Sequence, residues 1–151
     1  LQGALLFLPY ACAVDHFQHW VYENPDATPA QRNAKWSEME ATYMPWRDAS
    51  DVPYAAEGTQ WQFQRHIIES PFYYIDYALA QTCALQFWQA SQVDRAEAFK
   101  DYLHICDIGG SQSFVQIVRS GNLRSPFETG CLDSIVADVK QWLEKEYAGY
   151  L

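Results

Sequence analysis

The sequence predicts an all-α fold, an orthogonal or irregular bundle of about six or seven helices. Three observations carry that reading. Apolar residues recur at spacings of three and four along most of the 151-residue chain, the period of a helix face. Helix starts such as Thr28-Pro29 and Asp94, and stops such as Pro45, Gly109-Gly110 and Gly121, punctuate those stretches. No run alternates apolar and polar residues at the period of two that a half-buried strand needs. The length suits one domain with a sizeable core, so residues 1–151 are expected to form a single helical domain.

Residues from about 3 to 22 read as one helix, because Leu5, Leu8, Cys12, Phe17 and Val21 recur at near-helical spacing. Pro9 falls inside it and is expected to kink or interrupt it. Asp15, Gln18, His19 and Tyr22 form its polar stripe. Glu23 to Ala27 is a turn. Thr28 and Gln31 make a capping box with Pro29 at the first helical position. That helix runs to about Tyr43, with Trp36, Met39, Glu40 and Tyr43 along one side. Pro45 stops it. Residues 44–60 are irregular, and a loop this long is often functional. Trp61 to Ile68 reads as a short helix or tight segment, with Trp61, Arg65 and Ile68 on one face.

A central helix is predicted from 71 to about 90, with Ser70 as its cap and Pro71 at its first position. Phe72, Ile75, Leu79, Cys83 and Phe87 would face its core. Asp94 starts the next helix, whose core stripe is Ala96, Phe99, Leu103 and Cys106. Gly109-Gly110 closes it, and Ser111 is placed to cap a short helix packed by Phe114, Ile117 and Val118. Ser125-Pro126-Phe127-Glu128 repeats the cap signature. A last helix, from about 131 to 147, packs through Leu132, Ile135, Val136, Val139, Trp142 and Leu143.

The chemistry-bearing residues concentrate between Arg65 and Gln81. His66 lies on the loop feeding the central helix. Tyr73 and Tyr77 are four apart, and Tyr74 and Tyr77 three apart, so their phenols gather on one side. A histidine beside clustered phenols can bind and polarise a carbonyl oxygen or an oxyanion. Tyrosines at this spacing also serve as half-buried helix residues that only satisfy a core hydrogen bond. His16 and His19 are three apart, but zinc needs at least three protein ligands and no third is placed near them. They are expected to make hydrogen bonds instead. Gly109-Gly110 lacks the spacing of a phosphate loop. No H-E-x-x-H, G-x-S-x-G or activated cysteine completes a catalytic set.

A net charge of −9 and scattered basic residues exclude nucleic acid and anionic membranes as partners. Cys12, Cys83, Cys106 and Cys131 form no C-x-x-C pair; reduced thiols in a cytoplasmic protein are expected, with Cys83, Cys106 and Cys131 in or beside apolar helical patterns and buried. Leu1 to Val14 has no basic n-region and is too short to span a bilayer. A chain opening on Leu in mid-helix is expected to be cut from something longer. Its apolar surface around Leu1 to Val14 would favour self-association.

Three stretches resemble the C-terminal part of oligoendopeptidase F, a zinc metallopeptidase family related to thimet oligopeptidase. They are Pro9 to Pro25 (Pro-Tyr-Ala-Cys-Ala-Val-Asp-His-Phe-Gln-His-Trp-Val-Tyr-Glu-Asn-Pro), His66 to Gln81 (His-Ile-Ile-Glu-Ser-Pro-Phe-Tyr-Tyr-Ile-Asp-Tyr-Ala-Leu-Ala-Gln) and Gly109 to Phe114. The similarity runs over nearly the whole chain, and the His66 block is its most specific part. It implies the C-terminal part of a larger helical metallopeptidase that hydrolyses internal bonds of short peptides. In such enzymes an H-E-x-x-H helix and a downstream glutamate hold zinc, and the first glutamate activates the attacking water. Those residues lie N-terminal to this segment. It is therefore expected to bind no metal and to be inactive without the N-terminal part of the same protein. By motif position His66 matches a substrate-contacting histidine. Tyr74 and Tyr77 best match two tyrosines that contact the substrate, one of which stabilises the tetrahedral oxyanion, so the resemblance implies both a substrate-binding and a catalytic role for Tyr74. Thimet oligopeptidase differs here by one residue of spacing, so Tyr73 stays a candidate. Without the resemblance, the residues support a non-catalytic helical binding or interaction domain.

Overall fold

Seven α-helices and no strand occur among residues 1–148, the part described by this computed structural model. The all-α expectation and the helix count therefore hold. The chain divides into two units, Leu1–Ala78 and Leu79 onward, each with its own packing.

The first unit is built on two long helices. α1 (Gln2–Glu23) runs through Pro9, so the helix is not interrupted there. An interior proline removes one helical hydrogen bond, that to the Leu5 carbonyl, and the turns on either side carry the helix on. Ala11, Val14, Phe17 and Gln18 face inward. The burial of Gln18 is a correction, since its polarity had placed it on the solvent stripe. α2 (Pro29–Tyr43) starts as the sequence requires: Thr28 N–H donates to Gln31 Oε1 at 2.8 Å, and Gln31 N–H donates to Thr28 Oγ1 at 3.3 Å. Its Trp36 and Met39 are buried against α1. Trp36 meets Phe17 edge-to-face at 5.3 Å between ring centroids. Such aromatic pairs add about 0.5–1.5 kcal/mol beyond the area they bury.

The connection 44–65 is irregular but pinned to α2. Arg47 donates to Glu40 Oε1 (3.2 Å) and to Gln60 Oε1 (2.7 Å). Trp61 Nε1–H donates to Asn33 Oδ1 at 3.0 Å. Gly58, at φ +71°, packs so closely on the Asn33 carbonyl that a Cβ would overlap it. Two 3₁₀ turns, Ala55–Glu57 and Gln60–Phe63, lead into a one-turn helix, α3 (His66–Glu69). Ile67 is buried there and Ile68 exposed, so the face expected from Trp61, Arg65 and Ile68 is corrected by one residue. Short 3₁₀ segments do not keep the 3.6-residue period that the expectation assumed.

The central helix starts later than its cap signals indicate. Ser70 ends α3, and residues 70–73 form a turn. α4 runs Ile75–Val93. Phe72 stands at φ +62°, outside helical space, and its ring lies between His19 and Tyr22 at 4.9 Å from each. Its side chain is partly exposed rather than core. The buried face of α4 is Ala78, Thr82, Leu85 and Gln86. Ile75, Leu79, Cys83 and Phe87, the expected core face, are half-buried.

In the second unit, α5 (Arg95–Ile108) is capped by Asp94, whose Oδ1 accepts from Ala96 and Glu97 N–H. Its buried residue is Ala98; Phe99, Leu103 and Cys106 are exposed, against expectation. Ile105 turns inward instead, filling the space where Gly121 has no side chain. α6 (Phe114–Ser120) is capped by Ser113 with Gln116, not by Ser111. Ser111 Oγ donates back to the Ile108 carbonyl at 2.7 Å and so belongs to the end of α5. Ser125 to Glu128 is a turn, and α7 (Cys131–Glu146) begins after Gly130. Ile135 and Val139 are buried in α7, whereas Leu132 and Val136 are exposed. The buried Gln86 clamps the loop ahead of α7. Its Nε2–H donates to the Arg124 carbonyl at 2.9 Å, and its Oε1 accepts the Arg124 N–H at 2.8 Å. All four cysteines are free thiols.

Candidate functional site

Four of the sequence-predicted residues meet in the first unit. The turn after α3 and the first turn of α4 fold back over the His66 imidazole. Tyr73 stacks on it, with ring planes 6° apart and centroids at 6.3 Å. Tyr74 meets it edge-on at 5.1 Å and Tyr77 at 5.6 Å. The tyrosines pack on one another too, Tyr77 at 5.4 Å from Tyr73 and 5.5 Å from Tyr74. The Tyr77 hydroxyl lies 3.5 Å from His66 Nε2, at the long end of hydrogen-bond range. It also shares a hydrogen bond with Tyr73.

The three phenols differ in access. Tyr74 is 9% exposed and belongs to the core, against Phe7 and Tyr10. Tyr73 and Tyr77 are 49% and 40% exposed. Partial desolvation and then Tyr73 push the Tyr77 phenol above its ordinary pKa. Burial and then Tyr77 push up Tyr74. The Tyr74 and Tyr77 phenols are therefore protonated at neutral pH and serve as hydrogen-bond donors.

Two residues of this cluster are absent from the sequence-level candidates. Gln64 Nε2 lies 2.6 Å from His66 Nδ1, and Gln64 Oε1 accepts the Tyr10 hydroxyl at 3.0 Å. Tyr10 is half-buried; burial, then Tyr74, push its pKa up to about 12, with Arg47 opposing and Glu40 adding. Gln64 sits only two residues before His66, which was a usable signal. Tyr10 is 54 residues away from Gln64, on another helix, and no local pattern connects them.

The His16–His19 pair parts. His16 Nδ1 pairs with the Tyr43 hydroxyl at 3.0 Å, and His19 Nε2 lies 3.6 Å from Asp15 Oδ2. His16 therefore makes the hydrogen bond expected of it, while His19 is held at ion-pair distance from Asp15. No three metal-ligating side chains come together among the described residues.

A family model described as "Peptidase family M3" matches residues 1–137. No curated protein matches the chain. Among solved structures, a Pz peptidase A with an inhibitor is 52% identical, with a TM-score of 0.89, over 95% of this chain and 25% of its own length. A second, assigned as an oligoendopeptidase F, is 54% identical with a TM-score of 0.88, over 94% of this chain and 25% of its own. An oligoendopeptidase F assigned in Bacillus anthracis str. Ames is 44% identical, with a TM-score of 0.74, over 95% and 22%. The chain thus spans about a quarter of the length of the structures it matches.

Proposed function

The chain belongs to peptidase family M3, and from that premise we propose that it is the C-terminal part of the catalytic domain of a longer, zinc-dependent oligopeptidase acting on short peptides. Residues 1–151 supply one wall of the active site in this reading. The observation that carries it is the His66 cluster: a histidine with two exposed phenols on one side. Zinc, when bound, would polarise the scissile carbonyl and activate water. The described residues hold no group of ligands that fits it. The metal and the general base are assigned to the rest of the longer protein, and the isolated chain is proposed to be inactive.

Tyr77 is the proposed oxyanion donor. As the carbonyl carbon becomes tetrahedral, negative charge builds on its oxygen. A phenol O–H held in place beforehand stabilises that charge without reorganising. Tyr73, exposed next to Tyr77, and His66 are assigned to substrate binding. Tyr74 is the second oxyanion candidate, and its burial favours Tyr77 over it. A cytoplasmic location fits short-peptide turnover; no helix among the described residues is long and apolar enough to cross a membrane. The test is Tyr77→Phe in the full-length protein. We expect kcat to fall about 10²–10³-fold with KM little changed. An unchanged kcat would remove Tyr77 from the role.

A further inference from the structure

We propose that Gln64 is a positioning residue that fixes the tautomer of His66, so that Nε2 carries the ring proton and presents it to Tyr77. The inference rests on the reading of Tyr77 as the oxyanion donor, and it assigns the order of donors behind that hydroxyl.

The argument begins at Tyr10. A phenol is a better donor than acceptor, and an amide oxygen is a strong neutral acceptor. The Tyr10 phenol is held protonated by burial. Its O–H therefore goes to Gln64 Oε1, at 3.0 Å. That contact turns the other end of the amide, the donor Nε2, toward the imidazole. Gln64 Nε2 lies 2.6 Å from His66 Nδ1. Two donors cannot share that contact, so Nδ1 accepts and carries no proton. A neutral imidazole has one N–H, which must then be on Nε2. Nε2 is the nitrogen facing the Tyr77 hydroxyl, at 3.5 Å.

The result is a one-way relay. Tyr10 donates to Gln64, Gln64 to His66, and His66 to the Tyr77 oxygen. With its oxygen already accepting, Tyr77 keeps its own proton for Tyr73 or for a substrate oxyanion. Donors aligned in series polarise one another, which makes the last O–H a better donor. With the opposite tautomer, Nε2 would be an acceptor and would take the Tyr77 proton, leaving the substrate none.

Other groups around the ring do not supply this order. Tyr73 and Tyr74 meet it through ring contacts. Arg65 and Glu69 on α3 pair with each other at 2.9 Å on the surface. Arg47 and Glu40 act on Tyr10 from the α2 side.

The test is Gln64→Glu in the full-length protein, with Tyr10→Phe as a second variant that leaves the histidine loop intact. A carboxylate at position 64 only accepts, so Nδ1 becomes protonated whether the ring is neutral or charged. With ¹⁵N-histidine labelling, wild type should show His66 Nδ1 as an unprotonated, pyridine-type nitrogen. Gln64→Glu should convert it to a protonated, pyrrole-type one. Tyr10→Phe should give a mixture, because the amide is then free to turn over. In kinetics, Gln64→Glu should lower kcat about tenfold or more with KM little changed. A wild-type Nδ1–H, or the same tautomer in wild type and Gln64→Glu, overturns the proposal. Loss of the oxyanion role in Tyr77→Phe would leave the nitrogen signals as they are, so the two readings fail separately.

Discussion

Gln18 Oε1 accepts the backbone N–H of Phe72 at 2.8 Å, and this one bond joins the middle of α1 to the turn that carries the tyrosines. Gln18 is fully buried. Phe72 holds a left-handed φ of +62°, which costs a non-glycine residue about 1–3 kcal/mol. The turn is kept there by that bond and by the contacts of its ring with His19 and Tyr22. Tyr73 follows directly, so the position of the stacked phenol depends on a residue 54 positions before Phe72.

Gln18→Leu should loosen that turn. It leaves the Phe72 N–H without an acceptor, a loss of about 1–3 kcal/mol. It also removes Gln18 Nε2, a buried donor without a partner, which offsets part of the loss. The net destabilisation should be about 1 kcal/mol, with faster hydrogen exchange at the Phe72 amide. Unchanged exchange there would show that the aromatic contacts alone hold the turn.

Gly58→Ala should be among the most damaging small substitutions in the first unit. At φ +71° a side chain is strained before any contact is counted, and here a Cβ would overlap the Asn33 carbonyl and the Ser37 hydroxyl. The α2 backbone cannot yield without breaking its helical bonds. A loss of about 2–4 kcal/mol is expected in denaturant unfolding. A loss below about 1 kcal/mol would mean that the loop lifts away from α2 at little cost.

The helices of this chain were legible because their signals are local. The Thr28–Gln31 box, the Asp94 cap and the stops near residues 43, 108 and 120 depend on a few neighbouring residues. The start of α4 was not. Ser70-Pro71 is a good cap by local chemistry, yet the distant Gln18 holds Phe72 out of the helix. Gln18 and Gln86 were misplaced or passed over for one reason. A glutamine that satisfies a loop backbone inside the core has the same composition as one on the surface. In the site, His66, Tyr73, Tyr74 and Tyr77 could be grouped from spacing. The burial that separates Tyr74 from the exposed pair could not, because it comes from Phe7 and Tyr10 on α1.

Tyr10 should titrate late. Its folded pKa is raised to about 12, against an ordinary value of 10.0. For a group raised in this way, the stabilisation is fully present below pH 10 and is lost as pH rises toward about 12. Partial exposure reduces its worth to about 1–2 kcal/mol. The tyrosinate absorbance lost in Tyr10→Phe should be the portion that develops near pH 12. A portion developing near pH 10 would place Tyr10 in solvent and break its bond to Gln64.

The thiols should react in the order of their exposure. Burial and then the neighbouring Cys131 push the Cys83 thiol up to about 11, so little of it is thiolate near neutrality. Burial also raises Cys131, with Arg124 opposing it. Cys106 is exposed. Iodoacetamide at pH 8, followed by peptide mass mapping, should label Cys106 at least about tenfold faster than Cys83 or Cys131. Equal rates would show that the second unit opens readily.

The most informative comparison is among Tyr73→Phe, Tyr74→Phe and Tyr77→Phe in the full-length protein. Each removes one hydroxyl and keeps the ring, so the stacked and edge-on contacts with His66 persist. Tyr77 alone combines access to solvent with a hydrogen bond to His66. Its loss should act on kcat, because an oxyanion exists only in the transition state and its intermediate. Tyr73 is the more exposed phenol and stacks on the ring; a substrate-binding hydroxyl there should act on KM, by about 3–10-fold. Tyr74 is buried. Removing its hydroxyl should change stability by about 1 kcal/mol and leave kcat within about twofold. If Tyr74→Phe instead lowers kcat most, the buried phenol must turn outward when substrate binds, and the oxyanion role passes to it.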